Sequence, residues 1–354
     1  MKSVRATLAE LPAFDTIIDV RSPAEFAEDH IPGAISCPVL DDAQRAQVGT
    51  LYKQVSPFEA KKIGAALVAE NIARHLRERF LDRPRDWKPL IYFWRGGDRS
   101  GAMTTIFRAI GWRACQLEGG YKTWRGHVLA ALDELPRRLV FKVVCGPTGS
   151  AKTRLLQALD ERGEQVLDLE TLAAHKGSVL GVLPDQAQPA QKGFETQLLV
   201  ALRGFDPARP VYVEAESRKI GRLHLPDALL ERMRAGQCLA VEATLPARID
   251  FLLRDYDYFL RRPDFLAARL AALKGLQSGE THARWQALAG AGDWRELVRE
   301  LLELHYDPLY RRSQAHNFAG IGQPLVFAAG DLSPAGIADL AGRVLAQSRT
   351  AQMA

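Results

Sequence analysis

Residues 139–145, LVFKVVC, are an apolar run of strand length, and GPTGSAKT (146–153) carries the chain straight into the helix-period run RLLQALDERG. Strand, glycine-rich turn and helix in that order gather backbone N–H groups and a helix N-terminus around one point, where an anion is held. The residues expected to do so are Gly146, Thr148, Gly149, Ser150, Ala151, Lys152 and Thr153. The backbone of 147–152 would wrap a di- or triphosphate, Lys152 would reach its outer phosphate, and the Thr153 hydroxyl would hold a magnesium ion, as in a P-loop. Ala151 stands where the usual pattern has glycine. If that position needs an unusual backbone angle, alanine costs on the order of 1 kcal/mol. Further strands are expected at QVLDL (165–169), VYVEAES (211–217), CLAVEAT (238–244) and PLVFAAG (324–330). A strand that ends in acidic residues suits the second metal-contacting element of such a fold, which makes Glu214 and Glu216 candidates. Pairing with Arg218 and Lys219 as strand-end charges accounts for them equally well.

The chain has 354 residues, enough for two domains of ordinary size. It divides near LDELPRR (132–138), and both halves alternate β-branched runs with helix-period runs. That alternation predicts an α/β fold with mostly parallel sheets. The expected domains are residues 1–136 and 137–354, with the Arg/Leu/Ala-rich helical stretch 262–312 as an insert in the second. No apolar run reaches the ~18 residues of a membrane span, and the N-terminus has no apolar core of signal-peptide length. Cys37, Cys115, Cys145 and Cys238 form neither a metal-ligand pair nor a disulfide framework. These features predict a cytoplasmic protein with reduced thiols. The net charge of +5 permits a nucleic-acid partner without demanding one.

In the first half the strand signals are 15–20, 34–39, 90–94 and 113–118, with helical patterns at 60–80 and 99–111. LIYFWRGGDRSG (90–101) reads as an anion cradle. Glycines let N–H groups turn inward, and the guanidinium groups of Arg95 and Arg99 beside Gly96 and Gly97 add charge and directed donors. Where a nucleophile is expected, at the strand end, stands Phe93. Cys37 and Cys115 are read as structural thiols and His30 as a loop-anchoring hydrogen-bonder.

The segments IIDVRSPAEFAEDHIPGAISCPV, YFWRGGDRSG and LEGGYKTWR together resemble a rhodanese domain over most of residues 1–136. The resemblance implies a cysteine at the start of the loop that carries sulfur or selenium, and that position is Phe93. With LDLETLAAHKGSVLG (167–181), PAQKGFE (189–195), VEAESRKIGRLHLP (213–226) and HYDPLY (305–310) added, the chain is similar to the tRNA 2-selenouridine synthase family from about residue 5 to 330. That family acts on 2-thiouridine at the tRNA wobble position. It geranylates the sulfur with geranyl diphosphate, then replaces the S-geranyl group with selenium from selenophosphate. The resemblance therefore implies a transferase with selenophosphate and geranyl diphosphate as co-substrates, Mg2+ at the P-loop, tRNA as partner and a selenophosphate-supplying enzyme nearby. Arg95, Arg99, Lys152, Thr153, Glu170, Glu214, Glu216, Ser217 and Arg218 are kept. Phe93, Ala151 and Ala215 depart, the last where the family has aspartate.

With Phe93 in place the chain is expected to transfer no selenium, while geranyl transfer persists. Two alternatives stand beside the main reading: an impaired relative that binds tRNA without selenium transfer, and a small-molecule P-loop kinase with a degenerate rhodanese domain as regulator. Arginines such as Arg254, Arg261 and Arg262, interleaved with Tyr256, Tyr258 and Phe259, suit an unpaired RNA base. A helix face laced to Asp255, Asp257 and Asp264 explains the same charges.

Overall fold

The apolar runs become the inner strands of two parallel sheets. The computed structural model describes residues 4–95, 97–317 and 324–353. Its backbone contacts divide the chain into Met1–Ala131 with Ala190–Leu199, and Leu132–Pro189 with Val200–Ala354.

The first unit is built on β1 (Arg5–Ala6), β2 (Thr16–Asp19), β3 (Ala34–Ser36), β4 (Pro89–Tyr92) and β5 (Cys115–Leu117). They lie in the order β1-β5-β4-β2-β3, and every pairing is parallel. All four residues of β4 are buried, as a strand covered on both faces requires. Helices Pro57–His75 and Asp98–Ile110 supply part of the covering. Ser56 caps the first, accepting from the Phe58 and Glu59 amides, and Pro57 opens it. Phe80, Trp87, Phe107 and Trp112 meet mostly edge to face in the core, with centroids 4.9–5.8 Å apart. The helix Asp42–Gln54 buries only Val48, too thin an apolar stripe to be read from sequence.

Arg21 sits 1% exposed inside this unit. Its Nε donates to both Asp19 oxygens at 3.1 Å, and its Nη2 donates to Asp19 Oδ2 and to the Asp29 carbonyl at 2.6 Å. Its guanidinium lies 3.8 Å from the Tyr121 ring centroid, and the Tyr121 hydroxyl donates to Asp29 Oδ2 at 2.7 Å. IDVRS, EDHIPG and GGYKTW are thus joined by one buried cation.

The second unit has β6 (Phe141–Cys145), β7 (Gln165–Leu167), β8 (Val211–Glu214), a short antiparallel ribbon of β9 (Lys219–Ile220) and β10 (Leu223–His224), then β11 (Gln237–Ala243) and β12 (Leu325–Ala329). Its sheet runs β12-β11-β6-β8-β7, all parallel, with β6 at the centre. A helical layer contains Pro263–Ala271, Gly279–Ala291 and Trp294–Glu300. It packs around the fully buried Trp285 with Phe259, Leu266, Leu270 and Leu297.

Arg21→Ala leaves the Asp19 carboxylate buried without its partner. It should destabilise the chain by about 3–5 kcal/mol in urea denaturation. Arg45→Ala, whose side chain is half exposed where it pairs with Glu25, should cost less, about 1 kcal/mol.

Candidate functional site

β6 delivers the chain to a turn at Gly146, and a helix starts at Lys152. Gly149 has φ 84°, and a Cβ there would lie 2.9 Å from Leu252 Cδ1. Ala151 has φ 58° and ψ 30°, so the position takes an unusual angle, a left-handed one, at about 1–2 kcal/mol for a residue with a side chain. The surroundings hold it there: Ala151 is buried among Leu155, Leu156 and Phe251, and its carbonyl accepts from the Leu155 amide at 2.9 Å. Arg248, 5% exposed, braces the turn from outside. Its Nε donates to the Thr148 carbonyl at 2.8 Å, while Nη1 and Nη2 donate to Asp307 at 3.0 and 2.6 Å. Lys152 Nζ donates to the Gly146 and Pro147 carbonyls at 3.0 and 3.4 Å. Ser150, fully buried, donates its hydroxyl to the Pro147 carbonyl at 2.8 Å.

Beside the turn, the Thr153 hydroxyl lies 2.9 Å from Glu170 Oε2 and 3.2 Å from Glu214 Oε2. Glu170, Glu214 and Glu216 each offer an oxygen within 4.8 Å of the others. Three carboxylates and a hydroxyl are an all-oxygen donor set, which suits a hard divalent cation. Burial and then the charges of Glu170 and Glu216 push the Glu214 carboxyl far up. Burial and the Glu170 charge push Glu216 up to about 8, with Lys152 pulling the other way. Glu170 is also raised, mainly by burial. A Cβ on Gly177, whose φ is 63°, would stand 2.8 Å from Glu216 Oε1 and 2.9 Å from Glu170 Oε1, so that segment can close over the carboxylates only as glycine.

A cleft of about 510 Å³ opens over the turn, with Lys152, Thr153, Glu170, Glu216, Ser217 and Tyr256 on its walls. A smaller pocket of about 80 Å³, lined almost entirely by leucine, valine and aromatic side chains, adjoins it. Thr148, Ser178, Leu252, Tyr256 and Tyr306 line both. Lys176 reaches Asp255 Oδ2 at 2.5 Å and lies 4.0 Å from the Tyr256 ring centroid, fixing the aromatic wall between them.

The structure thus gathers Gly146, Thr148, Gly149, Ala151, Lys152, Thr153, Glu170, Glu216 and Ser217 along one cleft, with Glu214 buried beside Thr153. Arg218 stands apart: it is exposed and pairs with Asp227 at 2.9 Å, so it does not neutralise the strand-end glutamates. The rings of Tyr256, Tyr258 and Phe259, expected as a stacking site, contact one another at 4.7–6.0 Å between centroids and pack into or against the cluster around Trp285, while Tyr256 also lines the cleft. Arg261 and Arg262 pair with Asp257 and Asp185 at 2.8 and 2.6 Å, and Arg254 donates to the Leu332 carbonyl. The roles of Arg248, Asp307 and Lys176 were not anticipated. HYDPLY marked Asp307 as notable, but nothing in it indicates a partner on another helix.

In the first unit, Phe93 packs half-buried against the core, and the Arg99 guanidinium lies 4.9 Å from its ring centroid. Burial, reinforced by Arg45, lowers the Arg99 pKa. The Phe93 and Trp94 carbonyls accept from the Tyr121 and Lys122 amides at 2.8 and 2.9 Å, which ties the loop to the GGYKTW helix. Gly97 caps the helix Asp98–Ile110, and its carbonyl accepts from Gln116 Nε2 at 3.0 Å and from the Ser100 hydroxyl at 3.1 Å. Arg95 is exposed, and Gly96 lies outside the described residues. Burial pushes the Cys37 thiol up to about 11, which leaves it unreactive. His30 Nδ1 bonds the Phe26 carbonyl at 2.9 Å, the anchoring role expected of it.

A parallel sheet with a phosphate turn at its central strand defines a P-loop unit, and the other sheet with its arginine loop is rhodanese-like. Family models match the same two regions: a rhodanese-like domain at residues 3–127 and a tRNA 2-selenouridine synthase AAA domain at 139–282. The chain is 32% identical over 327 residues to tRNA 2-selenouridine synthase of Alcanivorax borkumensis, covering 83% of this chain and 88% of the relative. It is 31% identical over 345 residues to that of Bdellovibrio bacteriovorus, covering 83% and 87%. The chain therefore belongs to the tRNA 2-selenouridine synthase family. With the enzyme of that name from Nitrosomonas europaea it shares 36% identity over 247 residues, 68% of this chain and 63% of the relative's length. A solved rhodanese-related protein from Thermoplasma volcanium aligns over 35% of this chain and 91% of its own at 20% identity and a TM-score of 0.23, too slight a likeness to carry an argument. Among the described residues no helix is long and apolar enough to cross a membrane.

Two outcomes are expected of the P-loop unit. Ala151→Gly relieves the left-handed angle and should raise unfolding stability by roughly 1 kcal/mol, net of the greater chain freedom of glycine. Glu216 has a folded pKa of about 8 against an ordinary 4.5, so its contribution to stability is complete below the lower value and lost as pH rises through the higher one. The melting temperature of the unaltered chain should therefore fall more steeply between pH 5 and pH 9 than that of Glu216→Gln.

Proposed function

We propose that this chain is a tRNA-modifying transferase of the 2-selenouridine synthase type, acting in the cytoplasm on the wobble 2-thiouridine of tRNA through S-geranylation and selenophosphate-dependent selenation. One observation carries the reading: the phosphate turn opens on a cleft that shares a wall with an apolar pocket. A charged head on the turn and a hydrocarbon tail in the pocket describe geranyl diphosphate better than a nucleotide, whose base and ribose are polar. In the first step the thiouridine sulfur attacks C1 of the geranyl group, the C1–O bond breaks, and the electron pair leaves with diphosphate. Lys152 and the turn amides stabilise the charge that develops there. Thr153, Glu170, Glu214 and Glu216 would hold Mg2+, whose charge offsets that of the departing diphosphate. In the second step the selenium of selenophosphate bonds to C2 of the base, the C2–S bond breaks, and geranyl thiolate leaves and takes a proton from water. Water then attacks phosphorus, and the P–Se bond breaks to give phosphate and 2-selenouridine. Arg95, Arg99 and the Gly97 end of the helix Asp98–Ile110 are the groups suited to hold that selenophosphate, handed over by the enzyme that makes it.

Phe93 favours a second reading, in which the chain stops after geranylation. With no thiol at the loop, selenium has no covalent carrier there. The nucleoside profile of tRNA from cells carrying only this protein separates the two. The main reading requires 2-selenouridine, and the second predicts S-geranyl-2-thiouridine that persists when selenium is supplied. Phe93→Cys should place a thiol beside Arg99 that reacts with iodoacetamide faster than Cys37, Cys115, Cys145 or Cys238, and chalcogen transfer should rise with it. Calorimetry with geranyl diphosphate and with ATP tests the turn. Lys152→Ala should weaken geranyl diphosphate binding by about tenfold or more, and equal affinity in both proteins would remove Lys152 from the site.

A further inference from the structure

We infer that Trp294 and Val298 set the length of the isoprenoid chain that the second unit accepts, an inference that rests on the cleft being a prenyl diphosphate site. The apolar pocket meets the cleft along Thr148, Ser178, Leu252, Tyr256 and Tyr306, which line both. Trp294, Leu297 and Val298 line the pocket and not the cleft, as do Leu266, Leu301 and Leu302, so the short helix Trp294–Glu300 supplies part of the wall that the cleft does not share. Asp293 caps that helix by accepting from the Glu296 amide. A tail whose diphosphate sits on the turn would pass Tyr256 and Tyr306 and reach the face of that helix formed by Trp294, Leu297 and Val298.

The pocket is the smaller space, about 80 Å³ against about 510 Å³ for the cleft, so its walls limit how much tail finds apolar cover. The helix wall is also the adjustable part. Leu297 is core, 2% exposed, and is held by the cluster around Trp285. Trp294 and Val298 are only half-buried. Trp294 packs on the partly exposed rim of that cluster, so truncating it widens the pocket on its open side, and enlarging Val298 narrows it. Each carbon of tail that finds apolar cover adds affinity, and each one refused costs more than the contact it loses, because the neighbouring side chains must give way.

The experiment is calorimetry on the full-length chain with four probes: inorganic diphosphate and dimethylallyl, geranyl and farnesyl diphosphates. The unaltered chain should bind geranyl diphosphate more tightly than either inorganic or farnesyl diphosphate. Trp294→Ala should shift the farnesyl-to-geranyl affinity ratio upward by about tenfold. Val298→Phe should move preference toward dimethylallyl diphosphate, and inorganic diphosphate should bind all three proteins alike. Unchanged chain-length order in both variants, with tight geranyl binding throughout, overturns this inference and leaves the prenyl site standing. Geranyl diphosphate binding no tighter than inorganic diphosphate to the unaltered chain overturns both. Should Trp294→Ala lose inorganic diphosphate binding through misfolding, Val298→Phe decides the matter alone.

Discussion

The phosphate turn keeps its shape because Arg248 is pinned between the Thr148 carbonyl and Asp307. A turn with a left-handed alanine and a glycine pressed against Leu252 needs an outside constraint. A buried guanidinium with all three nitrogens bonded is a rigid one. The same brace makes the helical segments part of the site, since Asp307 lies beyond the helix that lines the apolar pocket. Loss of Asp307 would leave a buried cation without its partner and a carbonyl of the turn less firmly held, so packing and ligand geometry fail together.

Charge is arranged with equal economy at the carboxylates. Three glutamates crowd around Thr153, and Lys152 is the cation that offsets both Glu214 and Glu216. Such a cluster keeps protons at neutral pH until positive charge replaces them. Its acidity and its affinity for a cation are then two expressions of one repulsion.

The sheets were legible because their strands are apolar runs bounded by turn residues, and the phosphate turn because its spacing leaves a backbone few alternatives. The pattern marked residue 151 as the place where alanine departs from glycine, and the structure supplies the angle there, left-handed with φ 58°. What sequence could not supply was pairing across distance. Arg248 and Asp307 are 59 positions apart, and nothing local marks either as the other's partner. Tyr256, Tyr258 and Phe259 were ambiguous for the opposite reason. Alternating aromatic and charged residues suit an RNA surface and a helix with one buried face alike, and only the packing around Trp285 distinguishes them.

The segment Ala190–Leu199 belongs to the first unit although the second surrounds it in sequence. Lys192 pairs with Glu28 at 2.9 Å and stands over Trp94, and Glu195 pairs with Arg125. Gene order and folded body therefore disagree. A fragment cut after residue 131 would omit a piece of its own fold, and a chimera joining this rhodanese-like half to another P-loop protein would have to carry that piece along.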